Sequence, residues 1–523
     1  MKRKRNKKKQ HRSTDLSKHK RSGSLLLPPF RQMGNIRNSS WKDERLPEML
    51  WAVVLIGNLH REEALNIFRK VGSFVGGNAD LFDVTHVGIA SWPKDKRSDF
   101  INLLKSSHPR AQELLQSLVI FHDIPAHSDW EEVMGNPKDE ANVADYLANG
   151  VRATLDHQSE EATDCRWIKF LCEIQSGKLS FSSSMPDIRE TLKGVLEYPN
   201  YGDLRHIRPF IRSSEIASVM RSVQSSEWPE KFWRACLIST VCAPLPRSDQ
   251  RKDSLQINHE QISRIRHLLL LHYMQSDKSS SIEPEQDSIF GIGFYALRLL
   301  DEVVVTNLSR GAIGRLALRT FVEAQITLAY LIMKNDHALW EAFRNYGIGQ
   351  MKLSYLKARD SVEKPAFIDE TFLQQMANED RWEEFSDIEL SNWAKSDLRT
   401  MSEEAEQKEL YDAYYSWTSN FSHGTWGAIR ESNFTICANP LHRLHLIPSV
   451  IMYPLPGILE DAVKITNLIL ELIESQYPDF SHRITNKPKL KKTIWYKRLY
   501  NRFRYRKEQT IFDFITLGRT KTK

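Results

Sequence analysis

The chain has 523 residues, 73 Lys+Arg against 66 Asp+Glu, and a formal charge of +7. With 41% apolar and 27% charged residues it can bury a sizeable core, and its length suggests roughly two to four domains. Glycine (22) and proline (21) run below average usage, which weighs against a turn-rich β architecture, and five cysteines without paired short spacings make no disulfide framework. No uncharged apolar run reaches the ~18 residues of a spanning helix. The basic N-terminus lacks the apolar segment of a signal peptide, since Leu25–Leu27 is too short, so a cytoplasmic protein is the expectation.

Charge is concentrated at the two ends. Residues 1–21, opening with Lys2, Arg3, Lys4 and Arg5, hold eleven Lys/Arg against Asp15, a net +10. Residues 483–523 hold fourteen Lys/Arg against Glu508 and Asp513, a net +12, which leaves 22–482 at −15. An acidic body with basic ends points to a polyanion partner or to contact between the ends and the body. The first tail has almost no apolar residue and reads as a solvated arm, able to release counterions from nucleic acid or simply to keep the chain soluble.

Residues 22–41 read as an irregular linker. From Leu46 the pattern turns helical, with Leu50, Val53, Val54 and then Ala64, Leu65, Phe68, Val71 at the 3.6-residue period. Leu81–Ala90 and Leu118–Phe121 are short and β-tolerant, and one or two strands are expected there. Pro137 marks a helix start, continued through Ala141–Leu155, with further helices near Glu160–Gln175, Ser213–Val223 and Glu230–Val241. The turn segment at 243–250 and the serine-rich polar stretch at 275–288 punctuate the body. Long helices resume from Ile289 to about Tyr477. The expectation is an all-α protein: a basic tail and linker (1–43), an N-terminal helical region (44–274), a C-terminal helical domain (288–478) and a basic amphipathic tail (479–523).

Gly311–Met333 is apolar nearly all round, the pattern of a central helix, and carries only Arg315, Arg319 and Glu323, spaced by four along one stripe. Polar groups must face that stripe, from solvent, a partner helix or a ligand. Leu410–Arg430 offers such groups, with Tyr411, Tyr415, Ser419 and His423 again four apart on a helix ending near Gly424. There the carbonyl dipoles favour a cation, and beside an arginine such a histidine can move protons at a phosphodiester. Ordinary helix packing would use the same residues without chemistry.

The segments LALRTFVEAQITLAYLI, WEAFRNYGIGQMKLSYL and YYSWTSNFSHG resemble domain of unknown function 5677 over roughly 290–430, with Arg319, Glu323, Tyr346, Ser419 and His423 at the matching positions. The family has no established activity to carry over; the resemblance implies a bacterial protein. More distantly, the layout is similar to the helical HEPN (higher-eukaryote and prokaryote nucleotide-binding) superfamily, many of whose members are metal-independent ribonucleases of toxin and phage-defence systems. Their Arg-x4–6-His motif is missing before His423, where Ser416, Trp417 and Thr418 stand instead. Pairs with that spacing elsewhere, such as Arg152/His157 and Arg266/His272, are no more frequent than chance. A ribonuclease of this kind needs Arg319 and His423 brought together from different helices.

Two reductions of function follow: a nucleic-acid-interacting protein, ribonuclease-like in stress or phage defence, or a non-catalytic helical binding or scaffold module. The second tail interleaves aromatics with charge. Lys491, Lys492, Lys497, Arg498, Arg502, Arg504 and Arg506 surround a Trp495/Leu499/Phe503 stripe, suited to RNA, to its own acidic body or to an anionic membrane. RNA or another polyanion is the expected partner, with a homodimer and a membrane surface as further options. No cofactor is expected, because no phosphate-cradling glycine motif is present. Nor is a metal: His122, Asp123, His127 and Asp129 lack a recognised ligand spacing, and Cys437, His442 and His445 lack an evident fourth ligand. Cys165, Cys172, Cys236 and Cys242 read as core.

Overall fold

The computed structural model describes residues 18–27, 39–137, 140–178, 188–219, 226–245, 255–276, 282–379 and 386–485. Among them the chain is mainly helical, as expected, with two two-stranded sheets. It divides into two units: Met1–Pro246 with Thr435–Pro448, and Arg247–Phe434 with Ser449–Lys523. Each has its own apolar core.

In the first unit the Leu50–Asn58 helix is buried from Leu50 to Ile56, as a helix apolar on every side must be. Its approach to the Glu140–Thr154 helix is set by two glycines. A Cβ on Gly57 would lie 2.3 Å from the Gly150 Cα, and one on Gly150 would lie 2.6 Å from the Val53 carbonyl oxygen. The Arg61–Gly76 helix opens with a capping box in which the Glu63 carboxylate accepts from the His60 N–H at 3.1 Å. The Glu160–Gln175 helix, capped by Ser159, buries charges that the apolar pattern of the sequence does not reveal. Arg61 grips Asp164 with Nε and Nη2 at 2.7 and 2.9 Å, and the Tyr198 hydroxyl donates to the same carboxylate at 2.8 Å. Glu215 pairs with Arg45 and faces Arg166 and Lys169 at 3.9 and 3.7 Å. Burial, opposed by Glu215, lowers the Arg166 pKa to about 10.

The expected strands at Leu81–Ala90 and Leu118–Phe121 are not formed. Thr85 caps a short helix, His86–Ala90, by accepting from the Gly88 N–H at 3.0 Å, and Gln116–Leu118 is a 3₁₀ turn. Both runs satisfy their backbone groups locally and so need no strand partner. Strands occur instead at Lys20–Ser22 with Leu25–Leu27, inside the segment read as tail and linker. There Gly23, at φ 58°, makes the two-residue turn of an antiparallel hairpin. The other pair is Phe434–Ile436 with Leu446–Pro448.

The second unit is built around the Ala312–Lys334 helix, which packs against the Pro284–Val305, Leu398–Glu404, Ser416–Ser422 and Leu459–Gln476 helices. By length and composition alone that helix could cross a membrane. Yet it buries Arg315 and Gln325 along with its apolar face, and its neighbours are helices of its own unit. It is the core helix of that unit.

Candidate functional site

The stripe of charge on the core helix has two environments. Arg315 is buried and donates from Nη2 to the Pro456 carbonyl at 2.7 Å; burial lowers its pKa. Arg319, one turn on, lies at the edge of the core with its side chain 18% exposed. Its Nε donates to Glu323 at 3.0 Å, its Nη2 to the Tyr415 hydroxyl at 2.9 Å, and its Nη1 to the Ser422 hydroxyl. Burial works against the Arg319 charge, but Glu323 and Tyr415 outweigh it and hold the pKa above its usual value. The guanidinium carbon also sits 4.9 Å from the centre of the Tyr415 ring, which stacks on Tyr411 at 4.7 Å. The partner groups of the stripe therefore come from the segment the sequence pointed to.

That segment begins with a π-helical turn, Tyr411–Tyr415, and continues as Ser416–Ser422. Such widened turns occur mostly as single insertions in α-helices and often at functional sites. His423 closes the helix: its N–H bonds to the Ser419 carbonyl at 3.2 Å, and Gly424 at φ 55° turns the chain away. The imidazole is exposed and makes no side-chain hydrogen bond among the described residues. The Ser419 hydroxyl is buried without a partner there. Trp417 and Trp426, on either side of His423 in the chain, are 49% and 59% exposed. Sequence reading gave neither a role, although both stand in YYSWTSNFSHGTW.

The structure thus brings Arg319, Glu323 and Tyr415 to Ser422, the residue before His423. It does not bring Tyr346 there. Tyr346 lines a cavity of about 310 Å³ with Asp287, Phe343, Arg344 and Trp393. Lys2, Arg3, Lys4, Arg5 and Lys491, Lys492, Lys497, Arg498, Arg502, Arg504 and Arg506 lie outside the described residues.

In the His122–Asp129 group the two histidine rings lie 5.1 Å apart, and the other contacts are structural. Asp129 accepts from Arg97 at 2.8 Å, Asp123 from Lys231 at 3.2 Å, and His127 Nε2 bonds to the Val119 carbonyl at 2.8 Å. Cys165, Cys172 and Cys236 are buried as read, but Cys242 is exposed, lies beyond the end of its helix and stands beside Cys437, His442 and His445.

Residues 303–437, about a quarter of the chain, match the model of a family of unknown function (DUF5677), the family the motifs resemble. The match takes in the core helix, Tyr346 and the whole segment leading to His423. No curated protein and no solved structure matches the chain.

Proposed function

We propose that the protein binds RNA at the surface around His423 and cleaves it there, as a HEPN-like, metal-independent ribonuclease of the bacterial cytoplasm serving stress or phage defence. The observation that carries the reading is the Arg319–Ser422 hydrogen bond. It sets a guanidinium from one helix against the residue that precedes an exposed histidine on another, which supports a two-helix substitute for the missing single-helix motif. Three of the five guanidinium N–H groups are used by the contacts described above, and the remaining two are the ones suited to a phosphate oxygen. The exposed Trp417 and Trp426 offer faces on which unpaired bases stack. The two basic ends supply sequence-independent attraction to phosphate.

In this reading His423 takes the proton of the RNA's 2′-hydroxyl as that oxygen attacks the adjacent phosphorus. The bond from phosphorus to the 5′-oxygen breaks, the leaving oxygen takes a proton from solvent water, and a 2′,3′-cyclic phosphate remains. Arg319 stabilises the charge that builds on the phosphate oxygens, and Glu323 orients Arg319. The test is total-RNA integrity in cells expressing the wild type beside His423→Ala at matched protein levels, with purified protein and single-stranded RNA in magnesium-free buffer alongside. Cyclic-phosphate ends with the wild type alone support the reading, and equal cleavage by the variant overturns it.

One observation favours a second reading, a non-catalytic helical binding module. Glu323, Tyr415 and Ser422 engage Arg319 as a packing device would. RNA left intact by both proteins, with salt-sensitive binding lost on deleting 1–21 and 483–523, supports that module.

A further inference from the structure

We infer that Cys242, Cys437, His442 and His445 form a structural zinc site in the first unit. One donor atom from each lies within 4.8 Å of all the others. The nearest approaches are Cys242 Sγ to His445 Nε2 at 3.3 Å, Cys437 Sγ to His442 Nδ1 at 3.4 Å, and Cys242 Sγ to His442 Nδ1 at 3.5 Å. A tetrahedral zinc with Zn–S near 2.3 Å and Zn–N near 2.0–2.1 Å sets its sulfur and nitrogen ligands about 3.5 Å apart. Three of the six edges of the cluster already have that sulfur–nitrogen length.

The hydrogen-bond network fixes which nitrogen of His442 faces the sulfurs. The Thr240 hydroxyl donates to the Cys236 carbonyl at 2.8 Å, so its oxygen accepts from the Nε2–H of His442, also at 2.8 Å. That leaves a bare lone pair on Nδ1, and it points at two sulfurs together. A thiol hydrogen could satisfy only one of these contacts, whereas a cation satisfies both. An outer partner that orients a ligating imidazole in this way is typical of metal sites. The Ala243 N–H donates to Cys437 Sγ at 3.4 Å and orients that sulfur.

The backbone is shaped to the same end. Residues 243–245 pair with the strand entering Cys437: Ala438 N–H bonds to the Ala243 carbonyl at 2.6 Å, and Leu245 N–H to that of Ile436 at 2.9 Å. Asn439 caps the Pro440–His442 turn and donates to the Val241 carbonyl at 3.0 Å. Arg443 and Leu444 then both adopt positive φ, 55° and 56°, which is rare for a leucine, and return His445 to the cluster. Cys437 and His442 are buried while Cys242 is exposed, which gives the ion an entry path. Four protein ligands leave no open position, so the ion is structural. It ties Thr435–Pro448 to the rest of the unit whose core contains Leu441.

The experiment is metal analysis of the full chain purified under reducing conditions, followed by cobalt(II) titration. Stoichiometric zinc is expected, with four-coordinate ligand-field bands and sulfur-to-cobalt charge transfer after substitution. Cys242→Ser should lower affinity at least about 10-fold and weaken the charge-transfer band. His445→Cys keeps four ligands and should bind with a stronger band, which separates ligand loss from misfolding. Absence of stoichiometric metal, a Cys242–Cys437 disulfide in its place, or an unchanged cobalt spectrum in Cys242→Ser would each overturn the assignment.

Discussion

Arg319 and Ser422, 103 positions apart, are joined by a hydrogen bond from the guanidinium to the hydroxyl. The same guanidinium holds Glu323 and Tyr415, so it fixes the end of the helix that presents His423. Lysine has one point of charge and cannot span three partners in a planar fork. Arg319→Lys is therefore expected to lose most of what Arg319→Ala loses, about 1–3 kcal/mol, in urea unfolding of the full chain. A Lys variant as stable as the wild type would show that charge alone matters at this position.

His86 is fully buried, with its ring centre 5.5 Å from that of Trp130 and 6.1 Å from that of Trp228, and neither ring nitrogen has a partner among the described residues. Burial lowers its pKa to about 3. The folded state therefore refuses a proton that the unfolded chain accepts below its ordinary value of about 6.5. The stability tied to the neutral ring is whole above pH 6.5 and is lost as pH falls toward 3, by about 1.4 kcal/mol per pH unit. His86→Leu should flatten the acid side of the stability curve between pH 6.5 and 4.5. Parallel curves for variant and wild type would rule out this origin.

Gly57 and Gly150 touch backbone, not the movable ends of side chains. Alanine at either position must push two helices apart, against a small gain in helix propensity of about 1 kcal/mol. The packing loss is expected to win, with Gly150→Ala destabilising by at least about 1–3 kcal/mol. Thermal unfolding of Gly150→Ala beside the exposed-site control Gly347→Ala, which has open space around it, separates the two effects.

Helix existence was legible wherever apolar spacing was strong, as in the core helix and Glu160–Gln175. The i, i+4 spacing also exposed Arg319 with Glu323 and Tyr411 with Tyr415, because neighbours one turn apart are neighbours in sequence. The Arg319–Ser422 bond could not be read, since it joins residues whose separation carries no period. Cys242 was hidden for a related reason. It follows an apolar helix, as core cysteines do, and its two potential histidine co-ligands lie 200 and 203 positions away. Asp164, Arg166 and Glu215 look like a solvated face until the partners that pair them are in place. The two β-tolerant runs misled because residue preference for strands has no force without a second strand to bond.

The re-entry of Thr435–Pro448 into the first unit has a consequence for synthesis on the ribosome. Leu441 belongs to the first core, and residues 243–245 take their strand partner from around Cys437. Arg247–Phe434 must be translated before either arrives, which at ~5–20 residues per second takes on the order of 10–40 s. For that interval the nascent N-terminal half stands with an open seam, and a polypeptide released before residue 448 never closes it.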